Sequence, residues 1–424
     1  MLRLNELSAC EIAHGVAAER FTAQSITRAC LDRIEERDSK VKAWAYVDTD
    51  AAIAQARAID RGASKGVLAG VPLGIKDIID TFDMPTDMGS PIYRDNHTFA
   101  DASCVALARR AGAVILGKTV TCEFAGLTPN VTRNPLDLDR TPGGSSSGSA
   151  AAVADHMCAV GYGTQTGGSV LRPASFCGAV GYKPTYNLIP RGGIKFAAES
   201  RDTIGLIGRS VDDVDLVASV LIARPLSPRR DTPPRIGLCR THLWEHALPE
   251  SKHAVEDAAG RLAAAGAHLR DVSLPDAFDA TAEARTVINP VERARSMAHE
   301  WNTARAQISP GLTRQIEQGL SIPHARYIAS LRRMKECRDM IPGMFGNCDV
   351  LLAPCVTGEA PMGLESTGDT RFQEFWTALH TPAITLPTHK GPNGLPIGIQ
   401  IIGRLYEDEL LLACARWAAE RLAA

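Results

Sequence analysis

The chain has 424 residues, 45% of them hydrophobic and 22% charged, the make-up of a soluble globular protein with room for one large α/β domain or two to three average ones. Lys plus Arg number 46 against 48 Asp plus Glu, a formal net charge of −2 that argues against a dedicated nucleic-acid binder, which would carry a basic field. No stretch approaches the roughly 18 uninterrupted apolar residues of a membrane helix, and the opening Met1-Leu2-Arg3-Leu4 lacks the apolar core of a secretory signal. The eleven cysteines, scattered from Cys10 to Cys414 without a C-x-x-C, fit neither a disulfide framework nor a zinc ribbon. They read as reduced thiols of a cytoplasmic protein.

In chain order, residues 4–60 read as helical throughout. Leu4, Leu7, Ile12 and Val16 recur at helix spacing, and Ile26, Cys30, Leu31 and Ile34 repeat the theme. Residues 71–76 form a short apolar run ending on Lys76. Ser103 caps a predicted helix over 103–111, Gly112 stops it, and 113–116 follow as a buried strand. Residues 133–210 are the part richest in Gly, Ser and Thr. A helix is expected over 211–223, then a Pro-rich connector at 224–234 that is a candidate sub-boundary. A strand at 235–239, a helix at 253–265 and a strand at 268–274 make a β-α-β unit. Further strands are expected at 349–352, 383–386 and 397–402, with a closing helix at 407–422. Helices interleaved with apolar strands predict a layered α/β fold around a large central sheet.

Three motif matches are rejected on context. Gly112-Ala113-Val114-Ile115-Leu116-Gly117-Lys118-Thr119 spells a P-loop, but its middle residues are strand-forming and a helix precedes it, where a P-loop opens one. His242-Leu243-Trp244-Glu245-His246 spells an inverted zinc-protease string, yet it fills a short loop before Pro249, with Ser251 expected to cap the next helix. Gly144-Ser145-Ser146-Ser147-Gly148 spells a nucleophile elbow with Ser146 as nucleophile, and its neighbours decide against it.

Those neighbours carry the chemistry. Thr141-Pro142-Gly143-Gly144-Ser145-Ser146-Ser147-Gly148-Ser149 leads into an alanine run, the mark of a backbone packed very closely at a helix N-terminus. Downstream, Gly163-Thr164-Gln165-Thr166-Gly167-Gly168-Ser169-Val170-Leu171-Arg172-Pro173 offers consecutive N–H groups just before a serine, as an oxyanion hole requires. With the upstream Gly70-Val71-Pro72-Leu73-Gly74-Ile75-Lys76-Asp77, these stretches resemble the amidase signature family over essentially the whole chain, so residues 1–424 read as a single domain.

The resemblance implies a mixed α/β/α fold with a central sheet of about eleven strands between helical layers. It also implies amide hydrolysis by a Ser–cis-Ser–Lys triad through an acyl-enzyme, with no cofactor and no metal. Position by position, Ser169 matches the nucleophile, Ser145 the bridging serine and Lys76 the base, with the N–H groups of Thr166, Gly167, Gly168 and Ser169 around the oxyanion. The chemistry is coherent, because a lysine serves as base only when neutral, a state that burial favours.

Two departures stand out. The family motif usually carries Asp where this chain has Gln165, and an Arg two residues after the nucleophile, whereas here Arg172 comes three residues after Ser169. This variant resembles the malonamidase branch, as do Met84-Pro85-Thr86, Met88-Gly89-Ser90 and Ser366-Thr367-Gly368-Asp369 with Trp376. In that branch the corresponding Arg binds a substrate carboxylate. Arg172 and Gln165 are therefore expected to bind substrate, a small malonamate-like amide bearing a carboxylate. The competing reading has Arg172 shaping the pocket of a broad aliphatic or aryl amidase. A third, the amidase subunit of a tRNA-dependent amidotransferase, is disfavoured by chain length and by Gln165 and Arg172. The expected partner is a small-molecule amide, with no nucleic acid and no membrane, and the resemblance also implies a homodimer.

Overall fold

The computed structural model describes residues 3–62 and 66–423. Its strands are β1 (Trp44–Val47), β2 (Pro72–Lys76), β3 (Val114–Thr119), β4 (Val160–Gln165), β5 (Val180–Lys183), β6 (Thr203–Gly208), β7 (Arg235–Leu238), β8 (His268–Asp271), β9 (Val350–Pro354), β10 (Ala383–Lys390) and β11 (Pro396–Ile402). They form one 11-stranded sheet in the order β1-β3-β2-β4-β6-β5-β10-β11-β9-β7-β8. β2 lies parallel to both β3 and β4, and β7 parallel to both β8 and β9, while the strands between pair antiparallel. The expected mixed α/β sheet between helices is the observed one. Strands from both sides of the Pro-rich connector share it. Every residue of β2, β3, β4 and β6 is buried, and apart from Lys76, Lys118 and Gln165 near their carboxyl ends these strands carry apolar or small residues on both faces.

The first sixty residues are not helical throughout. Helices Ala9–Ala17, Ala23–Val41 and Thr49–Asp60 start on the side-chain caps Ser8, Thr22 and Asp48, and β1 sits between the last two. Trp44, Tyr46 and Val47 favour extended backbone, and β1 closes one edge of the sheet against β3. Ser103 is the first helical residue of Ser103–Arg110 rather than its cap, which falls on Ala102 without a side-chain bond.

The last six of the eight residues of the P-loop string are the strand β3. Lys118 is buried in β3, with Nζ 3.2 Å from Asp77 Oδ1 and donating to Thr86 Oγ1 at 2.6 Å. The zinc-protease string is a loop with a short 3-10 turn at Trp244–His246, followed by helix Pro249–Ala264. Leu248, not Ser251, is that helix's N-cap.

Candidate active site

β2 and β4 run parallel as neighbours, with Ile75 opposite Tyr162, so their carboxyl ends open on the same edge of the sheet. Lys76, the last residue of β2, is completely buried. Its Nζ lies 2.9 Å from Ser145 Oγ, 2.8 Å from Thr164 Oγ1 and 3.3 Å from the Thr164 carbonyl. Burial pulls the Lys76 pKa down to about 7, and the nearby Arg293 charge pushes the same way against Cys122 and Asp202. A neutral amine donates to Thr164 and keeps a lone pair for the Ser145 hydroxyl.

The peptide bond Gly144–Ser145 is cis. Helix Ser147–Ala154 starts two residues later, and its small side chains let it press against the sheet. A Cβ on Gly148 would lie 2.2 Å from the Ala43 carbonyl, so only glycine fits there. The Cys122 N–H donates to the Ser145 carbonyl at 3.1 Å, fixing the segment from the other side. Ser146 faces β4, its Oγ donating to the Thr164 carbonyl at 3.4 Å and accepting from the Thr164 N–H at 3.3 Å. Fully buried and tied to backbone, Ser146 is not poised as a nucleophile.

Ser169 stands just past the end of β4, half-buried, with its carbonyl accepting from the Ser146 N–H at 3.2 Å. The structure thus brings the Ser145–Ser146 segment beside it, although Ser169 Oγ makes no hydrogen bond among the described residues. The N–H groups of Thr166, Gly167, Gly168 and Ser169 likewise donate to none of the described residues. All four residues line a cavity, and unpaired backbone donors at such a place can hold a developing oxyanion. A Cβ at Gly168 would come 2.6 Å from Gln373 Oε1, so any larger residue there would have to displace the Gln373 side chain.

Gln165 does not reach the cavity, contrary to its expected substrate-binding role. It is fully buried, with Oε1 accepting from the Val170 and Leu171 N–H groups at 2.8 and 3.0 Å and Nε2 donating to Thr377 Oγ1 at 2.9 Å. It acts as both acceptor and donor in bracing the turn that carries Ser169, a double task an aspartate could not perform.

Arg172 departs from expectation too. It borders the cavity but is 1% exposed, with Nη1 donating to the Gly368 carbonyl at 2.7 Å. Its Nη2 donates to the Gly144 carbonyl at 2.6 Å and to Thr367 Oγ1 at 2.9 Å. Only Nε lacks a partner, so no edge of this guanidinium offers two free nitrogens to a carboxylate.

Sequence reasoning missed two residues. Thr164 supplies two of the three contacts on Lys76, and the parallel register of β2 and β4 is the signal that would have found it. Asp202 accepts from Thr166 Oγ1 and from the Ala197 and Ala198 N–H groups, tying the donor loop to the cavity wall. The cavity holds about 750 Å³ and is bordered by Ser169 and its donor loop, helices Asn289–Ser296 and Pro310–Ser321, and four arginines against two glutamates.

The amidase family profile matches residues 25–412. A glutamyl-tRNA(Gln) amidotransferase subunit from Geobacter sp. (strain M21) is 32% identical, the alignment covering 98% of this chain and 97% of that one. An amidase crystal structure superposes with a TM-score of 0.89 at 28% identity, covering 98% of this chain and all of that one. A structure described as a vestigial protein complex that reveals the evolutionary origins of an s-triazine catabolic enzyme superposes at 0.88, with 29% identity and 98% coverage of both chains. The alignment with the Geobacter protein runs over 469 positions against the 424 residues of this chain, so that relative is the longer protein, as expected of an amidotransferase subunit.

Proposed function

The chain belongs to the amidase family, acting on amide C–N bonds, and from that premise we propose that it hydrolyses a small carboxylate-bearing amide through an acyl-enzyme on Ser169. Neutral Lys76 draws the proton of Ser145 as Ser145 takes that of Ser169, and Ser169 Oγ adds to the amide carbonyl. The N–H groups of residues 166–169 hold the oxyanion. Collapse breaks the C–N bond while the relay hands its proton to the leaving amine, which departs as ammonia. Water then enters by the same relay and frees the acid. The observation that carries this reading is the 2.9 Å contact between Ser145 and a buried lysine whose pKa lies near 7.

A malonamate-sized substrate would fill only a small part of the cavity, so the reading extends to longer carboxylated amides. Arg172 serves it as a positioning residue. A second reading, the amidase subunit of a tRNA-dependent amidotransferase, is supported by the relatives bearing that name. Ammonia release by the isolated chain from paired charged and neutral amides separates them. Turnover of carboxylate-bearing amides other than glutamine, without a partner protein, supports the first reading. Release from no amide, or from glutamine only, overturns it.

The pH profile follows from the sign of the Lys76 shift. Protonated below its pKa, Lys76 cannot accept a proton, so kcat/KM rises with pH through a midpoint near 7. A profile flat from pH 5 to 8 would show that Lys76 is not the base.

A further inference from the structure

Arg293 stands out among the cavity's cations. It projects from helix Asn289–Ser296, is 4% exposed, and makes no ion pair with a described carboxylate. Its Nη1 donates to the Phe124 carbonyl at 2.7 Å, while Nε is buried with no partner and Nη2 bonds to none of the described residues. Nε and Nη2 share one edge of the guanidinium, so this arginine keeps a complete two-donor fork unoccupied. Asp202 and Glu123 attract this charge only from beyond ion-pair distance, and a buried charge without a direct partner is costly and typically kept where a ligand completes it.

Arg314, on helix Pro310–Ser321, borders the same cavity, is exposed, and likewise lacks a partner among the described residues. The two helices meet at a close crossing, where a Cβ on Gly319 would lie 2.0 Å from the Pro290 carbonyl, so the spacing of the two helices is fixed. The other charged groups at the wall are committed. Arg285 lies 4.0 Å from Glu374, Glu374 also meets Arg201 and Thr370, and Glu365 accepts from the Leu364 N–H.

We propose that Arg293, assisted by Arg314, is the receptor for the substrate's carboxylate, taking it as a bidentate pair while the amide end lies at Ser169. The inference rests on the amidohydrolase reading above and moves the anionic anchor from Arg172 to Arg293, on another element bordering the same cavity.

The test is a series of mono-amides of linear dicarboxylic acids, from malonamate to adipamate, against neutral amides of equal length. kcat/KM should exceed that of each neutral partner, and the length at which the excess peaks reports the span from Ser169 to Arg293. Arg293→Gln and Arg314→Gln should raise KM for the charged series by about tenfold or more, with a much smaller change in KM for the neutral one. Arg314 is exposed, so Arg314→Gln keeps the test available should Arg293→Gln fail to fold. Binding of glutarate to the Ser169→Ala protein, followed by calorimetry, needs no turnover. Activity with equal effects on charged and neutral amides would overturn the receptor and leave the hydrolase. Glutarate binding lost in both arginine variants, without any amidase activity, would do the reverse.

Discussion

Ser169→Ala and Lys76→Ala each lower kcat/KM for amide hydrolysis by about 10⁴-fold or more, and the double variant is hardly worse than either alone. The reason is the single proton path. Lys76 reaches substrate only through Ser145, and Ser169 gains nucleophilicity only by losing its proton along that path. Ser145→Ala keeps a small residue of activity, because a water can stand in the gap it leaves. Lys76→Met, which preserves volume, separates catalysis from stability. The folded-state pKa of Lys76 lies near 7, below the unfolded value of 10.5, so between those pH values the unfolded chain binds more protons. Its contribution to stability therefore grows as pH rises from 7 to 10.5, and at pH 7 its burial works against folding. Lys76→Met should unfold at higher denaturant than wild type at pH 7, an advantage that shrinks toward pH 10, while hydrolysing nothing. Independent losses that multiply in the double variant would contradict the shared path.

Arg172→Ala destabilises the fold by about 3 kcal/mol or more, because the Gly144 and Gly368 carbonyls and the Thr367 hydroxyl lose their donor inside the protein. Arg172→Lys recovers only part of this, since one ammonium cannot reach acceptors arrayed around a planar guanidinium. Because the Gly144 carbonyl immediately precedes Ser145, both variants lose kcat, and they lose it by the same factor on charged and neutral amides. Paired denaturation curves and kinetics check this. A loss confined to carboxylate-bearing amides, at unchanged stability, would restore Arg172 as the anchor.

These two predictions rest on parts of the chain that were unequally legible. The strands that ended as apolar runs, β2, β3 and β9 to β11, and the β-α-β unit around β7 and β8 follow from their side chains. β4, β5 and β6 do not, because Val160-Gly161-Tyr162-Gly163, Val180-Gly181 and Thr203-Ile204-Gly205 look like turns. Their glycines serve another purpose. A Cβ on Gly161 would press on Ser149 at 3.0 Å, and one on Gly205 would meet the Tyr182 carbonyl at 2.7 Å, so these positions let the serine-rich helix and neighbouring strands approach the sheet. β1 was lost between two strongly periodic helices.

At the site, Lys76, Ser145 and Ser169 came from the family resemblance, because motifs record which side chains must be present. The roles of Gln165, Arg172 and Arg293 were not legible in it. They depend on which hydrogen-bonding atoms the surrounding backbone has already taken, as Val170, Leu171, Gly144 and Phe124 show. Thr164 was hidden in the same way, since only strand register places its hydroxyl against Lys76.

The most direct test of the central claim is to label the protein with phenylmethylsulfonyl fluoride and locate the adduct by peptide mass spectrometry. A single sulfonyl group on Ser169, formed at a rate that rises through pH 7 and lost in Lys76→Met, is the predicted result. A label on Ser146, or labelling of Ser169 that proceeds equally fast without Lys76, would contradict the account.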